Sequence, residues 1–379
     1  MVTSRLKLPS ASNSYHSMAN LSMNDQPSNP LFAGLLSIFF AAFVWTPLAS
    51  ADESDAPIGW ASVNGRGVET TTGGANGDIV TARTAEELAE YASRAEPLTI
   101  LIAGTITGDG QIKISSNKTL LGLGASTSLK NIELYMSGVS NIIIRNLHIS
   151  DARDAIALRR THHVWVDHCD LSECGDGLLD ITHQSDFVTV SWTRFSKHHK
   201  TMLINSGTSQ PEDSGYLNTT IHHCWFDGSD TRNPRVGYGK VHVFNCLYTK
   251  NDYGIGLHSQ CLVLAERNHF DQVKHPIKQM YRPDPTDIHH GFCESVENVF
   301  QDCRGAQDDE GKSFSVKEFY EYESKMDDVA HVPEIVQSNA GPQERIGRTA
   351  SRQWGMDESE FSREKPRAYR NGIQFGPPA

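Results

Sequence analysis

The sequence predicts an all-β fold, a single-domain right-handed parallel β-helix with a short N-terminal capping helix. Three observations carry this expectation. An eight-residue strand pattern recurs as IIIRNLHI (residues 142–149), VWVDHCDL (164–171), VTVSWTRF (188–195), TTIHHCWF (219–226), VHVFNCLY (241–248) and VLAERNHF (263–270). The starts of these rungs are 22, 24, 31, 22 and 22 residues apart, a period expected of stacked solenoid coils. Positions one, three and eight of each rung are mostly Val, Ile, Leu or aromatic, the alternation that a strand buried on one face requires. Parallel crossovers are almost always right-handed, which sets the expected hand.

The elements follow in chain order. Leu31 to Trp45 is an apolar run, broken by Pro47 and followed by the small residues Ala49-Ser50-Ala51. Residues 1–51 therefore read as a secretory signal with a long polar leader, and the protein as secreted. The run is shorter than the roughly 20 residues that span a bilayer; an uncleaved anchor is the alternative. Thr84-Ala-Glu-Glu87 is a capping-box pattern, and Leu88, Tyr91 and Ala92 continue it at helical spacing. A short helix there would cover the end of the stack, since an open coil stack needs a cap. Residues 98–106 and 119–126 read as earlier coils and 293–300 as a last one, giving one β-helical domain over 52–342. Residues 315–329 read as an acidic helix, and 343–379, charged and without periodicity, as a disordered tail.

Cys169, Cys224 and Cys246 share the sixth position of their rungs and are expected to pack inside the coil as small hydrophobes. An oxidising compartment would permit a Cys224–Cys246 bridge, and Cys293 and Cys303 could close a short loop. Adjacent His pairs such as His198-His199 and His222-His223 point to opposite faces of a strand, so they are assigned to packing rather than to zinc. Trp165, Trp192 and Trp225 are assigned to coil packing before sugar stacking. The net charge of −12 argues against nucleic acid as a partner. It does not exclude an acidic substrate, because a bound cation or a few local Lys and Arg can reverse the sign of one groove.

Asp154 and Asp176 lie one coil apart, so their carboxylates stack and would repel unless a cation sits between them. Calcium suits such an oxygen site. On a straight strand Asp180 would lie about 13 Å from Asp176, so it joins the site only if the chain bends, which Gly177 permits.

DAI…VWVDH, DGLLDIT…VTVSW, HHKTMLI and RNPRVGYGKVHVFN resemble, in order, the motifs of the pectate lyase superfamily, secreted β-helical lyases of plant pectin. The resemblance spans most of residues 59–342. It implies Ca2+ held by Asp154, Asp176 and Asp180, a substrate-binding Lys200 and Arg232 as the catalytic base. It also implies an Arg at position 237, where this chain has Gly; Arg235 is the candidate substitute for substrate binding. The implied activity is cleavage of polygalacturonate (pectate) by calcium-assisted β-elimination, in a monomer that is free of the membrane once its signal is removed. The alternatives are a calcium-independent pectin lyase on methylated chains, a glycoside hydrolase using Asp176 and Asp180, and a non-catalytic polysaccharide-binding β-helix.

Overall fold

The computed structural model describes residues 56–281, 284 and 287–353. The expected signal segment and residues 354–379 of the expected tail lie outside the described residues. The coil stack is present. Ten strands, running from Asp78–Ala82 and Leu98–Ile102 through Ser140–Arg145 and His162–Asp167 to Phe292–Val296, form one sheet. A second, 15-stranded sheet has two faces, because the long strand Ser128–Ser137 pairs in parallel with both His148–Ser150 and Ile156–Arg159. Most coils therefore contribute three strands, for example His162–Asp167, Asp170–Ser172 and Leu179–Thr182. The expected coils at 98–106, 119–126 and 293–300 all carry strands of the stack.

Each eight-residue repeat is two strands meeting at a corner, not one strand. The fifth position adopts a left-handed backbone in every rung, at Asn146 (φ 63°), His168 (48°), Trp192 (47°), His223 (53°), Asn245 (49°) and Arg267 (48°). Asn and His tolerate this region better than most residues, and three of these positions are rings that stack on one another. Trp192 lies between His168 at 5.8 Å and His223 at 4.3 Å. Positions one and three are buried as expected, from Ile142 and Ile144 to Val263 and Ala265, all 0 % exposed. Position eight forms an interior aromatic column, with ring centroids 5.1 Å (Phe195–Phe226), 4.7 Å (Phe226–Tyr248) and 4.3 Å (Tyr248–Phe270) apart.

The sixth position points inward from the corner. Cys169, Cys224 and Cys246 are fully buried there, and each Sγ faces a carbonyl of the preceding coil. Burial pushes the Cys169 thiol up to about 12. All seven cysteines are free, so neither the Cys224–Cys246 nor the Cys293–Cys303 bridge is formed. The tryptophans serve packing. Trp165 is buried, covered by the Arg145 guanidinium, and donates to Ser191 at 2.8 Å. His162 with His163, and His222 with His223, hydrogen-bond within the pair at 2.9 Å.

The ten-stranded sheet is covered on its outer side. Trp60, Phe244, Leu264, Val316, Tyr320 and Tyr322 form one apolar cluster there. Residues 315–329 are not the expected helix; they make two short 3-10 turns, Val316–Glu318 and Glu323–Lys325. An irregular path lets both Tyr320 and Tyr322 face the sheet, where their hydroxyls meet Thr220 at 2.7 Å and Glu266 at 2.8 Å. The helix Ala85–Ser93 is where the capping box placed it: Thr84 accepts from the Glu87 N–H, and Leu88 and Ala92 are buried in the main core. A further correction concerns the tail. Its first residues form the helix Glu344–Gln353, with Ile346 buried against Leu101, Leu121 and Leu123. The strands Ile156–Arg159, Leu179–Thr182, Met202–Ile204, Arg235–Gly237, Tyr253–His258 and His275–Gln279 run side by side in the second sheet and carry the sequence-predicted charged residues on them or just before them.

Candidate active site

Those six strands pair in parallel, and their alternate residues Ile181, Ile204, Val236, Leu257 and Ile277 are fully buried in the core. The residues between them project outward in register: Ala157, Asp180, Leu203, Arg235, Gly256 and Lys278 form one column along the stack. Neighbours in such a column are about 4.8 Å apart.

Asp154 and Asp176 enter from the turns that precede two adjacent strands. The Asp176 N–H donates to the Arg153 carbonyl at 2.7 Å, which puts the two turns one above the other. The Gly177 N–H donates to Asp154 Oδ1 at 2.7 Å. A methyl group at Gly177 would lie 2.7 Å from Asp180 Oδ1 and 3.2 Å from Asp154 Oδ1, so both carboxylates converge on this glycine. Asp180 thus meets Asp154 across this glycine. Asp180 Oδ1 is buried and has no hydrogen-bond partner among the described residues. Burial, reinforced by Asp154 and Asp176, pushes the Asp180 carboxyl up to about 7, against the opposing pull of Arg232 and Lys200. Asp176 is turned the other way. Its Oδ1 accepts from Lys200 Nζ at 2.8 Å, and that bond holds its carboxyl below the usual range. In this arrangement no three carboxylate, imidazole or thiol groups among the described residues stand close enough to share an ion. Asp154 and Asp180 are brought together, while Asp176 is engaged by Lys200.

The cations come from the next two coils. Lys200 and Thr231 form a parallel bridge, and the Met202 N–H donates to the Arg232 carbonyl at 2.7 Å. Arg232 has a left-handed backbone (φ 62°) and is followed by a cis Asn233–Pro234 bond. Asn233 is fully buried and anchored to the Tyr253 carbonyl at 2.8 Å. The Arg232 guanidinium makes no hydrogen bond or ion pair among the described residues, yet its charge acts on Asp176, Asp180 and Tyr253.

Position 237 has no room for a side chain. A Cβ there would sit 2.4 Å from His258 Cε1 and 2.9 Å from Asn205 Oδ1. His258 is fully buried, and its imidazole is pushed down to about 3 by burial, with Arg235 and His289 adding to the shift. Arg235 stands outward instead, hydrogen-bonded to the Tyr281 hydroxyl, its guanidinium 5.5 Å from the Tyr281 ring centre. Sequence reasoning missed Tyr253, His258 and Tyr281, which belong to no motif it used. It also missed Glu133, whose carboxyl is pushed up by burial and by Asp154 and accepts from Gln111 at 3.0 Å.

The profile of the family described as "Pectate lyase" matches residues 26–284. The chain belongs to the pectate lyase family. Among curated pectate lyases, the chain is 38% identical over 233 residues to pectate lyase plyB of Emericella nidulans, covering 58% of this chain and 70% of that one. It is 36% identical over 232 residues to the pectate trisaccharide-lyase of Thermotoga maritima, covering 57% of this chain and 62% of the relative's length. The structure of pectate lyase Bsp165PelA from Bacillus sp. N165, solved with trigalacturonate, superposes with a TM-score of 0.67 at 26% identity, covering 76% of this chain and 98% of that chain. No helix among the described residues is long and apolar enough to cross a membrane.

Proposed function

We propose that this pectate lyase family member is a secreted, monomeric enzyme that cleaves polygalacturonate by calcium-assisted β-elimination, with Arg232 as the base. The observation that carries the reading is the Arg232 guanidinium, without a hydrogen bond or ion pair among the described residues, whose charge acts on the carboxylates of Asp176 and Asp180 beside Lys200. A uronate chain laid along this site would meet Lys200 and Arg235, both able to bind carboxylates. Arg232 then removes the C5 proton, the C5–H electrons form the C4=C5 double bond, and the C4–O bond breaks with its oxygen taking up a proton.

The residues fit a divalent cation. The buried, unpartnered Asp180 Oδ1, the neighbouring Asp154 Oδ1 and the glycine between them are what two like charges need if an ion is to relieve them. Asp176 would complete the set by exchanging Lys200 for the ion. Bound calcium would neutralise the substrate carboxylate and so favour loss of the C5 proton. Release of Lys200 from Asp176 would free its ammonium for the substrate.

The test is purified protein with polygalacturonate, in calcium or in chelator, followed by ultraviolet absorbance of the unsaturated product. The reading expects absorbance in calcium and its loss in chelator. Absence of product in both contradicts it. Product on methylated pectin in chelator favours the calcium-independent alternative.

A further inference from the structure

The geometry points to a second carboxylate-binding subsite, centred on Lys278, that grips a uronate chain beyond the reaction centre; the inference rests on the lyase reading for its substrate. Lys278 stands in the same outward column as Asp180 and Arg235, with Gly256 between it and Arg235. Two strand spacings separate the neighbours in this series, roughly 10 Å from Asp180 to Arg235 and again from Arg235 to Lys278. The column therefore repeats a charged group along the direction in which a polyanion would lie.

The space between the two cations is built rather than empty. Gly256 has no side chain, and a methyl there would lie 2.9 Å from both Met280 Sδ and Tyr253 Cε2. The Met280 thioether and the Tyr253 ring thus floor the gap with apolar surface. A sugar ring has an apolar face and, in a uronate, a carboxylate at its edge. An apolar floor with a few placed charges suits such a ligand. Lys278 Nζ lies 5.7 Å from the Tyr253 ring centre and makes no ion pair or hydrogen bond among the described residues. The nearby acidic groups are otherwise engaged: Asp252 pairs with Lys274 at 3.0 Å, Asp308 accepts from the Gln279 N–H at 2.8 Å, and Glu310 meets His290 at 2.5 Å. Among the described residues Lys278 has no acidic partner and is open to a ligand, and Arg235, hydrogen-bonded to the Tyr281 hydroxyl, is its companion.

The subsite is reached by a long substrate and not by a short one. With saturating calcium, kcat and KM are measured on trigalacturonate and hexagalacturonate for the wild type, Lys278→Gln and Lys278→Arg. Loss of one charge-assisted contact at a half-exposed site is expected to raise KM for hexagalacturonate about five- to tenfold. The expected result leaves kcat and the trigalacturonate KM unchanged, the Tm at its wild-type value and the arginine variant close to wild type. An unchanged hexagalacturonate KM, or an equal effect on both oligomers, overturns the subsite. If the wild type forms no unsaturated product, hexagalacturonate binding by calorimetry decides the matter separately. Weaker binding by Lys278→Gln supports the subsite while the lyase reading falls, and equal binding or none overturns the subsite as well.

Discussion

Restoring the side chain that the family would place at position 237 should harm this protein, not improve it. In Gly237→Ala the new Cβ would stand 2.4 Å from His258 Cε1 and 2.9 Å from Asn205 Oδ1. Carbon atoms in van der Waals contact prefer about 3.5–4.0 Å, so the imidazole would have to move by about an ångström. It has nowhere to go. His258 is fully buried and its Nδ1 meets Ser259 Oγ at 3.0 Å. Asn205 is also fully buried, bonded to Asp213 at 2.7 Å and to the Gly207 N–H at 2.9 Å. Overpacking of this kind costs about 1–3 kcal/mol, and Gly237→Arg should cost at least as much. Denaturant midpoints measure it, best in a double-mutant cycle with His258→Ala. Removing the imidazole opens the space, so Gly237→Ala should cost about 1 kcal/mol less in that background. A wild-type midpoint for Gly237→Ala, or the same cost in both backgrounds, would refute the reasoning. So would a Gly237→Arg protein that is stable and more active.

Other perturbations follow from the same geometry. Phe226→Ala empties the middle of the interior aromatic column, where Phe226 is fully buried between Phe195 and Tyr248, and should destabilise the fold by about 3–5 kcal/mol in denaturant titrations. Gly177→Ala drives a methyl against Asp180 Oδ1 and Asp154 Oδ1, so the calcium concentration for half-maximal activity should rise about tenfold or more; an unchanged calcium titration contradicts the metal reading. Burial, with help from Arg66, pushes the His162 imidazole down to about 4 from 6.5. Between those values the unfolded chain binds a proton there that the folded protein does not, so this group's contribution to stability falls as pH drops from about 6.5 to 4. Tm should therefore decline more steeply over that window in the wild type than in His162→Gln; equal slopes would contradict it.

The repeat was legible because interior positions recur at fixed offsets, and positions one, three and eight are the buried ones. The corner at position five was not, because an eight-residue apolar alternation looks like one straight strand. Its trace was nevertheless present in Asn146, His168, His223 and Asn245, residue types that accept a left-handed backbone. Residues 315–329 misled because their acidic spacing imitates a helix, whereas burial of Tyr320 and Tyr322 against one sheet decides their path. Motif and coil spacing named Asp154, Asp176, Asp180, Lys200 and Arg232 as candidates, and the structure sets Asp154 and Asp180 about Gly177 and Lys200 against Asp176. Which of the carboxylates face each other was not legible, because it turns on a single Lys200–Asp176 bond. The glycine at 237 is intelligible only through His258, a residue on the next coil whose imidazole occupies the space.

The central claim is that Arg232 removes the C5 proton. Its most direct test compares the wild type with Arg232→Ala in calcium, reading product absorbance on polygalacturonate, trigalacturonate binding by calorimetry, and Tm. A lost base predicts a fall in kcat of about 10²–10⁴-fold, with the fold intact and oligomer binding still measurable. An Arg232→Ala protein that forms product at close to the wild-type rate would contradict the account.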